Sequence, residues 1–333
     1  GGTTRLLISP DGALNLIPFE ALVDEEGRYL IEQYSFTYLT SGRDLLRLQM
    51  GRESKSAPLV VADPMFGVPE AGQLARADVS RRRSPARAKL RQSVTTGSDL
   101  SSVHFAPLAG TALEAREIKS LFPEAQALTG EQATEASLKQ VAAPRILHIA
   151  THGFFLGDQP VKMEGTRGLS WTQDDGDSGG LNANLKIENP LLRSGLALAG
   201  ANLRKSGDDD GILTALEASG LNLWGTKLVV LSACDTGLGV VRTGEGVYGL
   251  RRALVLAGSE TQVMSLWPVS DYVTRRLMKA YYAGLKQGQG RGEALRRVKL
   301  EMLRRQGMEH PFYWASFIQS GEWAELDVKR QPK

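Results

Sequence analysis

What most constrains this chain is a set of short, almost wholly apolar runs: RILHIA at 145–150, KLVVL at 227–231 and QVMSLW at 262–267, set between stretches of helical periodicity. A strand with one face in water alternates apolar and polar residues. A strand that is apolar throughout must be covered on both faces, and in a chain alternating strand with helix this implies a mostly parallel sheet between helical layers. The helical stretches carry their own signals. Thr111 with Glu114 reads as a capping box opening a helix with Ala115, Ile118 and Phe122 on one side, and Thr134 reads as the cap of a helix carrying Leu138 and Val141. Further helices are expected at 246–257, from 271 (stripe Val273, Leu277, Tyr281, Leu285) and at 292–306 (Leu295, Val298, Met302), before a last strand FYWASFI whose Tyr313 and Trp314 read as strand core.

Three regions follow. Residues 1–66 form a smaller strand-rich α/β region, with LLIS, ALNLI, YSFTYL and APLVVADP as strands and a helix at 42–50. Residues 67–104 hold Gly, Pro, Ser and a surplus of arginine with no apolar period, which reads as a flexible basic linker; Arg81–Arg83 within it is a candidate processing site. Residues 105–333 form the main domain, interrupted by a Gly- and Asp-rich insertion at 156–211 that reads largely as surface loop around LLRSGLALAG. The Gly1-Gly2 start without methionine suggests a longer natural chain.

Composition excludes more than it selects. A net charge of +3 gives no reason to expect nucleic acid, and no apolar run approaches the roughly 20 residues of a membrane span, so no membrane partner and, by default, a cytoplasmic location are expected. The single cysteine rules out internal disulfides and cysteine zinc cages. His148 and His152 are too far apart along a strand, about 13 Å at ~3.3 Å per residue, to share a metal, and neither a metal nor a cofactor is expected. The string GEGVYG at 244–249 satisfies a dinucleotide fingerprint formally, but it does not directly follow a strand; it reads instead as a glycine loop opening a helix with Glu245 at its start. No Gly-x-Ser-x-Gly elbow is present.

In open α/β sheets ligands bind beyond the carboxyl ends of the strands. Two such ends carry chemistry: RILHIA runs into Thr151-His152-Gly153, and KLVVL into Ser232-Ala233-Cys234-Asp235. If the two strands are parallel neighbours, an imidazole and the one thiol leave the same edge, and the imidazole can take the thiol proton to give a thiolate nucleophile. Gly153, lacking a Cβ, can bring its N–H to a substrate carbonyl and, with the amide of Cys234, form an oxyanion hole. An inert core thiol is the competing reading of the residues alone. Trp267 and Asp271 follow the next strand and are candidate pocket residues, with Asp235 and Glu245 beside them; the competing role for Asp271 is to stabilise the first turn of its own helix.

RILHIATHGFF, KLVVLSACDTGLG, GEGVYGLRRALVLAGSETQVMSLWPVSD and HPFYWASFIQSGEW resemble, in order and spacing, the signature blocks of CHAT domains, bacterial relatives of caspases and separase, and LLISPDGALNLIPFEAL is similar to the start of that domain. The resemblance implies a caspase-like fold, often following tetratricopeptide repeats, with His152 as base, Cys234 as nucleophile and Gly153 as oxyanion donor. It implies a cysteine endopeptidase acting on a protein or peptide substrate, itself included. By resemblance to separase, an acid in the Asp271 block implies a basic side chain before the scissile bond, whereas Arg275 favours an acidic one as in caspases. The alternative is an autoinhibited or non-catalytic signalling or scaffold module acting by protein binding, suggested by the long loops at 156–211 and 235–246.

Overall fold

The apolar runs become strands of one sheet because each has two faces to bury and helices on either side to bury them. The structure, a computed structural model, describes residues 4–67, 103–155, 190–232, 245–267 and 270–327. Its strands are β1 (Arg5–Ile8), β2 (Ser35–Tyr38), β3 (Leu59–Pro64), β4 (Gln126–Gly130), β5 (Ile146–Ala150), β6 (Gly153–Phe155), β7 (Ser194–Ala197), β8 (Ile212–Thr214), β9 (Leu228–Leu231), β10 (Thr261–Ser265) and β11 (Phe317–Gly321). Its helices are α1 (Leu30–Gln33), α2 (Asp44–Gln49), α3 (Ala109–Leu121), α4 (Glu135–Lys139), α5 (Ala215–Ala218), α6 (Glu245–Leu256), α7 (Asp271–Lys286), α8 (Arg291–Leu303) and α9 (Pro311–Trp314).

Eight strands form the central sheet in the order β1-β2-β11-β10-β9-β5-β3-β4. Every neighbouring pair is parallel except β10 with β11. Strands from the first 66 residues lie on both sides of the centre: β1 and β2 beyond β11, and β3 between β5 and β4. The remaining strands make a small antiparallel sheet, β6-β7-β8.

Side chains alternate across a strand, and here the alternation divides the interior in two. Val60, Ala62, Ile146, Ala150, Leu228 and Val230 face one layer with α3, α7 and α8. Val61, Leu147, Ile149, Val229 and Leu231 face the other with α4, α5 and α6. The fold is therefore α/β with a mostly parallel central sheet covered on both faces, as the unbroken apolar runs required. The stripe Val273, Leu277, Tyr281 and Leu285 of α7 is buried in the first layer, together with Leu295, Val298 and Met302 of α8.

Several local expectations are corrected. ALNLI is not a strand: Gly12–Leu16 is a 3₁₀ helix, because the Asp11 carboxylate accepts the Gly12 N–H and Gly12 itself sits at φ 52°, where a strand cannot start. The capping box at Thr111 is absent. Helix α3 starts earlier, at Ala109, so Thr111 lies inside its first turn; its hydroxyl donates to the Leu108 carbonyl at 2.8 Å and accepts the Asp63 N–H at 2.9 Å. FYWASFI divides into a helical turn and β11, since Pro311 presets the first helical φ and His310 Nδ1 accepts the Phe312 N–H at 3.1 Å. Tyr313 and Trp314 thus pack from a helical turn rather than from a strand. In the insertion, the apolar patch is buried from Ser194 to Ala199, where it forms β7 and the start of the turn after it, while Leu192 in the preceding 3₁₀ turn is exposed. Thr134 does cap α4, accepting the Ser137 N–H at 3.1 Å. The linker stretch 68–102, with Arg81–Arg83, and 156–189 of the insertion lie outside the described residues.

The N-terminal segment is joined to the rest by buried polar pairs. Glu20, in the 3₁₀ turn Phe19–Ala21, bonds to Lys299 of α8, whose ammonium also donates to the Phe317 carbonyl. Arg251 of α6 reaches the Asn15 side chain.

The second sheet hands over to α5 through a complete capping box: Thr214 Oγ1 accepts the Glu217 N–H at 3.3 Å while Glu217 returns to the Thr214 N–H at 3.0 Å. Thr214→Ala is expected to destabilise the protein by about 1 kcal/mol, measured as a lowered urea midpoint with an unchanged denaturant slope.

Candidate active site

Strands β5 and β9 are adjacent and parallel, with Ile149 opposite Leu231, and the Ser232 N–H donates to the Ile149 carbonyl at 2.9 Å. Their carboxyl ends therefore open onto one rim. His152 leaves that rim between β5 and β6, at the corner where the chain passes from the central sheet to the small one. Two bonds hold the corner: Thr151 Oγ1 donates to the Ala197 carbonyl, and the Ala197 N–H donates to the His152 carbonyl at 2.9 Å.

The imidazole of His152 is 4% exposed and walled by aromatic rings. The Phe66 ring centroid lies 5.3 Å away and that of Phe105 5.8 Å away, with Phe154 packed on Phe105. His152 Nε2 is 2.7 Å from the Ala106 carbonyl oxygen. A carbonyl only accepts, so Nε2 carries the hydrogen and Nδ1 of the neutral ring is the basic nitrogen.

Gly153 pairs with Leu196, one step along from the His152–Ala197 bond. In an antiparallel ladder the bonding direction alternates residue by residue, so the Gly153 N–H points to the side of β6 away from β7.

Behind this rim lies a second polar group. Glu114 of α3 accepts the Ser232 hydroxyl at 3.1 Å, and its other oxygen is 3.2 Å from His148 Nε2. His148 Nδ1 lies 2.9 Å from the Tyr282 hydroxyl. His148 is a buried strand histidine, 0% exposed. Burial, with the Glu114 and Tyr281 charges adding to it, raises the Tyr282 phenol well above its ordinary range, so Tyr282 stays neutral.

The other candidates are placed as follows. Trp267 follows β10 on the same rim and donates its indole N–H to the Phe312 carbonyl at 3.0 Å. Asp271 is exposed in the first turn of α7, and its carboxylate sits against the start of α3: a Cβ added to Gly110 would come within 2.4 Å of Asp271 Oδ2. A carboxylate at two helix N-termini is in a favourable field. Glu245 is the first residue of α6, as expected, and Gly249 lies inside that helix, where a Cβ would meet Ser194 Oγ at 2.9 Å. Cys234 and Asp235 lie outside the described residues, as does the side chain of Glu245.

The residues that reading the sequence missed are Phe66, Phe105, Ala106, Glu114 and Ser232. A backbone carbonyl leaves no mark in a sequence. Glu114 did leave one, since it stands four and eight residues before the buried Ile118 and Phe122 and therefore on the inward face of α3.

No helix among the described residues is long and apolar enough to cross a membrane. Residues 1–322 match the family model of the CHAT domain. A stretch of 120 residues, 35% of the chain, is 33% identical to Tetratricopeptide repeat protein 28 of Mus musculus and equally to that of Homo sapiens, and it spans 5% of each of those proteins. In backbone the chain is similar to separase in the Saccharomyces cerevisiae separase–securin complex, with TM-score 0.46, 11% identity, and coverage of 92% of this chain and 15% of that one. It is also similar to the Arg-specific cysteine proteinase gingipain R, with TM-score 0.47, 8% identity, and coverage of 92% and 57%.

Proposed function

Because this chain belongs to the CHAT-domain family, matched over residues 1–322, we propose that it is a cysteine endopeptidase with Cys234 as nucleophile, His152 as base and a protein substrate. One observation carries the reading. In the paired strands β5 and β9, Ile149 stands opposite Leu231, and His152 and Cys234 each follow that pair by the same number of residues. The residue types and their register fit a dyad at one rim.

The chemistry follows from the nitrogen assignment. Nδ1 of His152 takes the thiol proton, and the imidazolium keeps its Nε2–H on the Ala106 carbonyl, a charge-assisted bond stronger than the neutral one. The thiolate attacks the scissile carbonyl carbon, forming a C–S bond and an oxyanion. Gly153, whose N–H faces away from β7, and the Cys234 amide are the proposed donors to that oxygen. Collapse breaks the C–N bond, the leaving amine takes the proton from Nδ1, and water then hydrolyses the acyl-enzyme through the same base. The aromatic wall of Phe66 and Phe105 keeps water off one side of the imidazole. Trp267 and Asp271 are proposed to line the subsite before the scissile bond, with Asp235 and Glu245 beside it.

The test is a biotinylated peptidyl acyloxymethyl ketone, made with a basic and with an acidic residue at its reactive end. Labelling of native wild type at neutral pH, lost in Cys234→Ala and in unfolded protein, is the expected result. Equal labelling of native and unfolded chains, or none with either probe, would discard the peptidase reading in favour of a scaffold that works by binding.

A further inference from the structure

We propose that Asn202 is a positioning residue for His152: its buried amide holds the backbone that selects the imidazole tautomer. The role of His152 rests on the peptidase reading above, whereas the grip itself rests on the contacts of Asn202. Asn202 lies in the turn after β7 and is 8% exposed. Its Oδ1 accepts the Phe105 N–H at 2.8 Å, and its Nδ2 donates to the Phe105 carbonyl at 2.9 Å and to the Gly67 carbonyl at 3.0 Å. Its own N–H donates to the Phe66 carbonyl at 2.8 Å.

Each of these bonds ends on a residue that touches His152 or is next to one that does. Phe66 and Phe105 supply the two rings packed on the imidazole, and Ala106, directly after Phe105, supplies the carbonyl on Nε2. Apolar packing alone could hold the rings, but it does not orient a carbonyl. A planar amide bonded to both the N–H and the C=O of one residue does, and only Asn and Gln carry donor and acceptor in that fork. Without the grip, the 103–106 segment gains freedom and the Ala106 oxygen no longer favours hydrogen on Nε2.

The experiment uses the full chain labelled with ¹⁵N-histidine. It has four histidines, and His152 is assigned by its loss in His152→Gln. Long-range ¹H–¹⁵N correlation reports which ring nitrogen bears hydrogen. In wild type, His152 is expected in the Nε2–H form with a slowly exchanging proton. In Asn202→Ala the tautomer ratio should move roughly tenfold toward Nδ1–H and that proton should exchange fast. Alkylation of Cys234 by iodoacetamide at neutral pH should slow about tenfold with its alkaline limit unchanged. If Asn202→Ala does not fold, Asn202→Ser, whose hydroxyl is too short to span the same partners, is read in its place.

A folded variant that keeps the wild-type tautomer and exchange rate overturns the inference, even if its melting temperature falls; a purely structural tie would give that pattern. Should the tautomer respond to Asn202 while Cys234 alkylation ignores both Asn202→Ala and His152→Gln, the positioning role stands and the peptidase reading fails.

Discussion

Under the proposed peptidase reading, replacing His152 with alanine is expected to slow peptide hydrolysis by about 10²–10⁴-fold, the usual share of a positioned general base. The argument lies in the tautomer. With Nε2 committed to the Ala106 carbonyl, the ring has one basic nitrogen to offer the thiol of the proposed dyad, so its removal deprives Cys234 of that base. The pH dependence separates this from general damage. Alkylation of Cys234 in His152→Ala should fall by roughly tenfold or more below pH 7 and converge with wild type above pH 9, where the thiol ionises unaided. A uniform drop at all pH values would mean that His152 supports the fold and not the nucleophile. Stopped-flow alkylation across that range, with a melting curve for each variant, decides between them.

The second large effect concerns stability. Lys299→Met keeps an unbranched side chain of nearly the same length but removes the partner of a carboxylate buried between the N-terminal segment and α8. Burial pushes the Glu20 carboxyl up and the Lys299 ammonium down, and each charge opposes the shift of the other. Both groups are nearly inaccessible, so neither can turn to water once its partner is gone. The single substitution is expected to cost about 3–5 kcal/mol. That is a large part of the ~5–15 kcal/mol that holds a typical domain together. The double change Glu20→Leu with Lys299→Met should recover most of it, because the uncompensated charge has gone. Guanidinium titrations of the wild type and the two variants measure this, and a single-mutant loss under 1 kcal/mol would show that water reaches the pair.

Much of the layout was legible in the sequence because burial leaves a periodicity. Strands β3, β5, β9 and β10 were readable as unbroken apolar runs, and the stripes of α7 and α8 from their helical spacing. Local hydrogen bonds leave fainter traces. ALNLI has the composition of a strand, and only the Asp11 carboxylate and the left-handed Gly12 turn it into a 3₁₀ helix. Thr111 and Glu114 have capping-box spacing, yet the start of α3 was decided by residues before them, leaving both side chains for tertiary bonds.

The position of His152 and Gly153 at a strand end was legible because they follow a buried strand. The Ala106 carbonyl and Asn202 were not, since they come from segments distant in sequence that only the fold brings together. A polar residue in a turn such as Asn202 looks like every other turn asparagine until its partners are known.

His148 has a further consequence for how β5 assembles. One face of that strand meets Glu114 and Tyr282, and the other, through Leu147 and Ile149, lies in a hydrophobic cluster. A mispairing of β5 by a single residue would turn the His148 ring into the aliphatic layer with no partner, at about 1–3 kcal/mol for the stranded polar group. The buried imidazole thus marks the correct register of the strand that leads into His152, because a shifted pairing would strand it without a partner.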